Sequence, residues 1–237
     1  FIFLVFQNMQ SFRNTAFEKG FRAINVESVG SAIKRLPGAY TKTIFGNLDL
    51  PKMTIDINFK NFQKLEKKRN KSIDEGIIIQ EKEDFVPAVI KLGDKKLKVK
   101  LRIKGDNIDH LIGDKWSFRV ETNKDDALYG MRRFSIQNPF TRGFQGQSLI
   151  DQTRKIYGLV SLNRKLVKVI INGNDIGIME IEEHFSKELL ERNRRKESVI
   201  VRFDESDSFK YGKMFDYNNT TVDAFRSKQI KKSKQLT

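Results

Sequence analysis

The chain has 237 residues, 38% of them hydrophobic and 11% aromatic, which is enough apolar mass for one core or two small ones and excludes an intrinsically disordered chain. Its 45 Lys and Arg against 30 Asp and Glu give a formal charge of +15. That excess favours nucleic acid, an anionic membrane, nucleotide phosphates or acidic protein segments as partners, and is also compatible with a merely solvated basic surface. The chain has no cysteine, so disulfides and thiolate metal sites are excluded while the compartment stays open.

In chain order, FIFLVF (residues 1–6) is an apolar run that suits either the tail of a signal peptide or membrane anchor, pointing to the cell envelope, or a short buried strand. Residues 1–50 otherwise lack a clear pattern, and a boundary is placed near Pro51. Thr54 to Phe59 alternates as a strand. Phe59, Phe62, Leu65, Arg69 and Ile73 then recur on one face of a basic helix that Gly76 ends. Phe85 to Leu92 and Lys95 to Ile103 flank Gly93-Asp94 as a hairpin, and Trp116 to Glu121 and Arg133 to Gln137 are further strands.

After the break at NPFTRGFQGQ comes a helix on which Leu149, Ile150, Thr153, Ile156, Tyr157 and Val160 share a face. Lys165 to Ile171 and Ile176 to Ile181 flank Asn172-Gly173-Asn174-Asp175, the strongest hairpin signal in the chain. HFSKELLERNRRK reads as an amphipathic helix, ESVIVRFDES as one more strand, and residues 206–237 as a polar tail or the start of a further lobe. Antiparallel strands, a helix, a hairpin and a helix predict an α+β fold, an antiparallel sheet with packed helices.

The familiar catalytic signatures are absent. His110 and His184 are the only histidines, without an HExxH pattern, and neither a P-loop nor a GxGxxG turn occurs. What remains is a strand with Arg102 and Lys104, a Gly105-Asp106-Asn107 loop, and Lys115 leading into the next strand. These groups suit phosphate, as backbone N–H and ammonium donors, or equally a solvent-exposed hairpin. Glu180, Glu182 and Glu183 at a strand exit suit orienting a lysine or holding a cation, or simple solvation. No recognised nucleic-acid motif accompanies the basic run Lys67 to Lys71, so specific nucleic-acid recognition is not expected.

Together, LRIKGD…GDKWSFRV, YGMRRFSIQNP, LIDQTRKIYGLV and VKVIINGNDIGIMEIEEHFSKELLERN resemble the amino-terminal half of the CotH family, atypical kinases related to spore-coat protein H. The likeness covers roughly Ile55 to Asp204, within a region drawn as residues 51–205. It is most specific in the NG…GIMEIEEH hairpin, Asn172 to His184, followed by the KELLE helix. The resemblance implies a protein-kinase-like small lobe and hinge, and an enzyme that uses ATP with Mg or Mn to phosphorylate protein hydroxyls. It implies further that Arg102, Lys104 and the Gly105 loop lie over the nucleotide phosphates, that Lys115 contacts them, and that Glu183 is the glutamate that ends the family's hairpin. The family's catalytic and metal-binding carboxylates have no counterpart after Asp204, so a truncated or pseudokinase-like chain is expected, with its catalytic residues and protein substrate unidentified and no metal ligand assigned. The alternative is a non-catalytic basic scaffold for a polyanion or an anionic envelope surface.

Overall fold

A computed structural model of the chain describes residues 49–144, 146–204 and 221–225. The chain divides into two units, Phe1–Asp49 and Leu50–Thr237, and the architecture below belongs to the second. The apolar run at residues 1–6 and most of the polar tail lie outside the described residues.

Seven strands make a closed barrel: β1 (Lys52–Asp56), β2 (Val86–Leu92), β3 (Lys95–Ile103), β4 (Phe118–Thr122), β5 (Arg133–Gln137), β6 (Arg164–Ile171) and β7 (Asn174–Glu183), in the spatial order β1-β2-β3-β4-β5-β7-β6. Every neighbouring pair is antiparallel except the one that closes the ring, β1 on β6, which runs parallel from Lys52↔Lys168 to Ile55↔Ile171. A separate ribbon pairs β8 (Val201–Asp204) with β9 (Thr221–Ala224). Three α-helices are described: α1 (Phe59–Glu75), α2 (Gly146–Ile156) and α3 (Lys187–Arg192).

The expected α+β antiparallel sheet with packed helices, a kinase-like small lobe, is therefore corrected to a closed mixed barrel. Alternation along each strand was legible, but period-2 patterning does not say whether a sheet has edges. β1 decides it, because Met53 and Ile55 point inward while the strand's two backbone edges bond β2 and β6. Closure removes the exposed edges an open sheet would carry. Inside, Met53, Ile55, Ile90, Leu101, Phe118, Val120, Phe134, Ile136, Val167, Val169, Met179 and Ile181 are at most 1% exposed. One in two residues on each strand fills this single core.

The Asn172-Gly173 turn does what its sequence predicts and more. Both residues have positive φ, 49° and 88°, the primed-turn geometry that suits the strand twist. The Asn172 side chain also accepts the Ile57 N–H at 2.7 Å, and its own N–H bonds Ile55 O at 3.0 Å. The hairpin tip thus fastens the closing strand.

The helices depart further from expectation. Helix α1 is capped by Asn58, whose side chain accepts from Asn61 N, and ended by Gly76 at φ 71°. Leu65 is buried, and Phe62 stacks on Trp116 with ring centroids 5.7 Å apart. Phe59, expected on the core face, is 75% exposed. In α2 the face that the apolar residues share is exposed altogether, while Asp151 on the opposite side is buried. The helix docks through polar contacts, chiefly Asp151 to Arg164 Nε at 2.6 Å.

Candidate functional site

The opposite face of the strands carries a second, very different layer. Register aligns Arg102, Arg119, Ser135, Glu182 and Arg164 across β3, β4, β5, β7 and β6. One row on, Gln137 pairs with Glu180 and Lys104 N donates to Ser117 O at 2.8 Å. One row back, Lys100, Glu121 and Arg133 align. Since residues directly opposite share a face, these three rows form one charged surface on the outside of the barrel.

Much of that surface is enclosed. Lys104 is 6% exposed and Glu182 7%, and their Nζ and Oε1 lie 2.9 Å apart. Gln137, completely buried, accepts from Lys104 and donates to Glu180 Oε2 at 2.9 Å and to Glu182 Oε2 at 3.0 Å. Arg164 Nη1 reaches both glutamates, at 2.9 and 2.8 Å. Arg142 Nε stands 3.4 Å from Glu182 Oε2. Glutamine is suited to the centre because it both donates and accepts, linking cation to carboxylate.

Burial pushes the Lys104 ammonium down to about 7, with Glu182 opposing the shift and Arg142 and Arg119 adding to it. Burial alone would raise Glu182, but Lys104, Arg142 and Arg164 outweigh it and hold the carboxyl well below the usual range. Desolvation also lowers Arg119, to about 10, and Arg102. Each of these groups is charged at some expense in solvation.

Above the network lies a cleft of about 750 Å³ whose lining includes Arg102, Lys104, Arg119, Arg133 and Arg142, with Asp106, Asp109 and Glu121 as its carboxylates. Phe85, His184 and Phe225 add aromatic wall. The Arg102 guanidinium sits over the Phe85 ring at 5.2 Å, and His184 meets Phe225 edge-on at 5.7 Å. The Nη1 of Arg119 is buried without a hydrogen-bond acceptor among the described residues, and the buried Nε of Arg142 has its Glu182 ion pair but no hydrogen bond. Buried donors normally find acceptors, so these stand out.

Gly105 forms one wall, and it must be glycine. Its φ is 116°, and a Cβ there would fall 2.2 Å from His110 Cδ2. His110 is held in turn by Ser117, whose Oγ lies 2.9 Å from Nδ1. Gln80 donates to Gly105 O, and Ile78 N to Asp106 O at 3.1 Å, which ties the loop to the chain leaving α1. Burial, reinforced by Lys104 and Arg142, pushes His110 down to about 3. Burial and Arg119 push His184 down to about 2. Both imidazoles are neutral at neutral pH.

Of the five residues singled out from the sequence, the structure brings Arg102, Lys104 and Gly105 together on the cleft wall. Lys115 lies apart, before β4 begins, with its Nζ 3.4 Å from Ile178 O and beside Gly177. Glu183 faces the other side of β7 from Glu182, accepting from Asn163 N at 2.9 Å and pairing with Arg192. Sequence reading passed over Arg119, Arg133, Arg142 and Gln137. The signal available was a polar residue at every second position of SFRV and RRFSIQ, in strands whose apolar residues already account for one face.

Among the described residues no three His, Cys, Asp or Glu side chains converge as a metal-binding group. The cationic donor set suits an anion. In comparisons with known proteins, the chain matches no family model and no curated protein sequence.

Proposed function

We propose that the outer-face cleft binds the polyphosphate of a nucleotide, and that the chain serves ATP-dependent phosphorylation of protein hydroxyls, the activity its CotH-like motifs imply. The observation that carries the reading is the enclosed Arg119 Nη1, a guanidinium donor without an acceptor among the described residues, in a cleft shared with Arg102, Arg142 and Lys104. Phosphate oxygens are the acceptors that match such a fork, and charge-assisted bonds to them are about twice as strong as neutral ones. A cleft of about 750 Å³ lies within the range of ordinary ligand sites. Phe85, His184 and Phe225 offer flat apolar surface for a base.

In this reading Arg102, Lys104, Arg119 and Arg142 hold and orient phosphate, which is most of what an enzyme contributes to phosphoryl transfer besides a base and metal. When bound, the divalent metal would neutralise charge developing on the phosphate oxygens. The carboxylates in the cleft lining that would be available to hold it are Asp106, Asp109 and Glu121.

The test is calorimetric titration of the chain with ATP and Mg or Mn. Arg119→Met is expected to weaken binding by about tenfold or more, the loss of one charge-assisted contact, whereas Lys115→Ala leaves it unchanged. Equal small losses from both variants would instead indicate diffuse charge attraction. That second reading, a non-catalytic polyanion scaffold, draws on the exposed lysines Lys91, Lys96, Lys98 and Lys100 of the β2–β3 hairpin. It predicts affinity that tracks total basic charge and falls steeply with salt.

A further inference from the structure

Helix α2 sits with its amphipathic character reversed. Ser148 and Asp151 turn to the barrel, where Asp151 is gripped by Arg164 and Ser148 reaches Glu180 at 3.3 Å. On the other side, Leu149 is 70% exposed, Ile156 82% and Tyr157 75%, with Ile150, Leu159 and Phe144 also exposed. Helical spacing brings Leu149, Thr153 and Ile156 into one stripe, and the exposed Tyr157 and Leu159 follow in the turn after it. An ordinary surface helix turns such a stripe to the core, and single exposed apolar residues need no explanation, but a contiguous group of this kind marks an interaction surface.

Two observations identify the partner. The first is charge: between Pro139 and Lys165 the exposed cations are Arg154, Lys155 and Lys165, and the single carboxylate, Asp151, is buried between Arg164 and Arg154. Arg154 and Lys155 occupy the last turn of the helix, and Arg195 donates to Gly158 O just beyond it. The second is shape. Side chains exposed to this degree stand proud of the surface, so the stripe is a ridge and not a groove that would receive a protein segment. A protruding apolar ridge with aromatic residues and flanking Lys and Arg is the chemistry of a helix lying in an anionic lipid interface.

We infer that α2 and the turn after it dock this protein on an anionic membrane surface, inserting Leu149, Ile156, Tyr157 and Leu159 among the lipid headgroups while Arg154, Lys155 and Arg195 meet the phosphates. This is independent of the nucleotide reading, because the stripe lies outside the cleft.

The experiment is co-sedimentation of the full chain with vesicles of phosphatidylcholine alone and of phosphatidylcholine mixed with phosphatidylserine. The chain lacks cysteine, so Ile156→Cys accepts a single environment-sensitive dye. Expected are binding to the mixed vesicles only, a blue shift of the dye on binding, and a loss of about tenfold or more in partitioning for Leu149→Asp/Ile156→Asp. Both residues are exposed, and unchanged circular dichroism of that variant excludes misfolding as the cause. A dye signal indifferent to mixed vesicles overturns the inference, as does undiminished binding by the double variant, which would assign attraction to the rest of the basic surface. Self-association abolished by the same variant, without vesicle binding, would give the ridge to a second copy of the chain and equally overturn it.

Discussion

The two faces of the barrel wall are built from alternate residues of the same strands, yet they follow opposite rules. Inward, Val120, Phe134 and Ile181 meet only other apolar groups; outward, Arg119, Ser135 and Glu182 stand on the neighbouring positions and are also largely removed from water. Apolar burial stabilises at roughly 25 cal/mol per Å², and the inner face needs no further reason to exist. The outer face has no such warrant. Buried ion pairs often return no more than their desolvation costs, and well-packed apolar residues of similar volume frequently do better. Stability alone therefore gives no reason for Lys104, Arg119, Arg142 and Arg164 to surround two glutamates, which fits the ligand role proposed for this face.

Disrupting one face at a time separates these roles. Phe134→Ala removes a fully buried ring from the lumen and is expected to destabilise by about 3–5 kcal/mol, as large-to-small core substitutions do. Glu182→Met should cost a similar amount, about 3–5 kcal/mol, for a different reason: it leaves Lys104, Arg142 and Arg164 without their shared counter-charge. Denaturant unfolding measures both, and added ATP distinguishes them. Ligand should recover stability for Glu182→Met, by supplying anionic partners to stranded cations, more than for Phe134→Ala. Equal rescue would remove the distinction between the faces.

Acid should strike the outer face first. His110 and His184 titrate near 6.5 when unfolded and are pushed by burial to about 3 and about 2 in the fold. Between those limits the unfolded chain binds the extra protons, so stability is complete above the unfolded value and is lost as pH falls toward the folded one. The charged groups facing His110 are Lys104, Arg142, Arg119 and Glu182, and Glu182 keeps its charge through most of this window. One such histidine contributes up to about 1.4 kcal/mol per pH unit. His110→Gln is expected to flatten the pH 6 to 4 limb of the unfolding midpoint, and an unchanged slope would show that other groups govern it.

Much of this architecture was legible. The strands, the Asn172-Gly173 turn and the Gly76 stop follow from local patterning and the φ > 0 requirement. Ring closure was not, because β1 and β6 are remote in sequence and their parallel pairing leaves no local trace. The shared apolar face of helix α2 was legible but its outward orientation was not, because that is fixed by the contact of Asp151 with Arg164, which is remote from the helix's own periodicity. Arg102, Lys104 and Gly105 could be singled out because they are contiguous. Arg119 and Arg142 could not, since only the register of four strands and the return of the chain after Pro139 bring them over the same cleft. Lys115 is assigned to the phosphates by its place at the entry to the next strand and by the resemblance, whereas it precedes β4 and its Nζ lies 3.4 Å from Ile178 O, outside the cleft lining.

The smallest expected effect concerns Lys104 alone and tests the outer face most directly. Burial holds its ammonium at about 7, so near neutral pH the free protein contains both protonation states. A polyphosphate in the cleft favours the charged form, and binding must then be accompanied by proton uptake once the pH exceeds that value. Affinity should be flat below about pH 7 and fall above it by at most tenfold per pH unit, the limit set by one linked proton. Lys104→Arg, which keeps its charge through this range, should bind with affinity independent of pH from 7 to 9. Calorimetry in buffers of different ionisation enthalpy reads the proton uptake itself. A wild-type profile as flat as the arginine variant's would mean that Lys104 serves Glu182 and Gln137 only, leaving the arginines to hold the ligand.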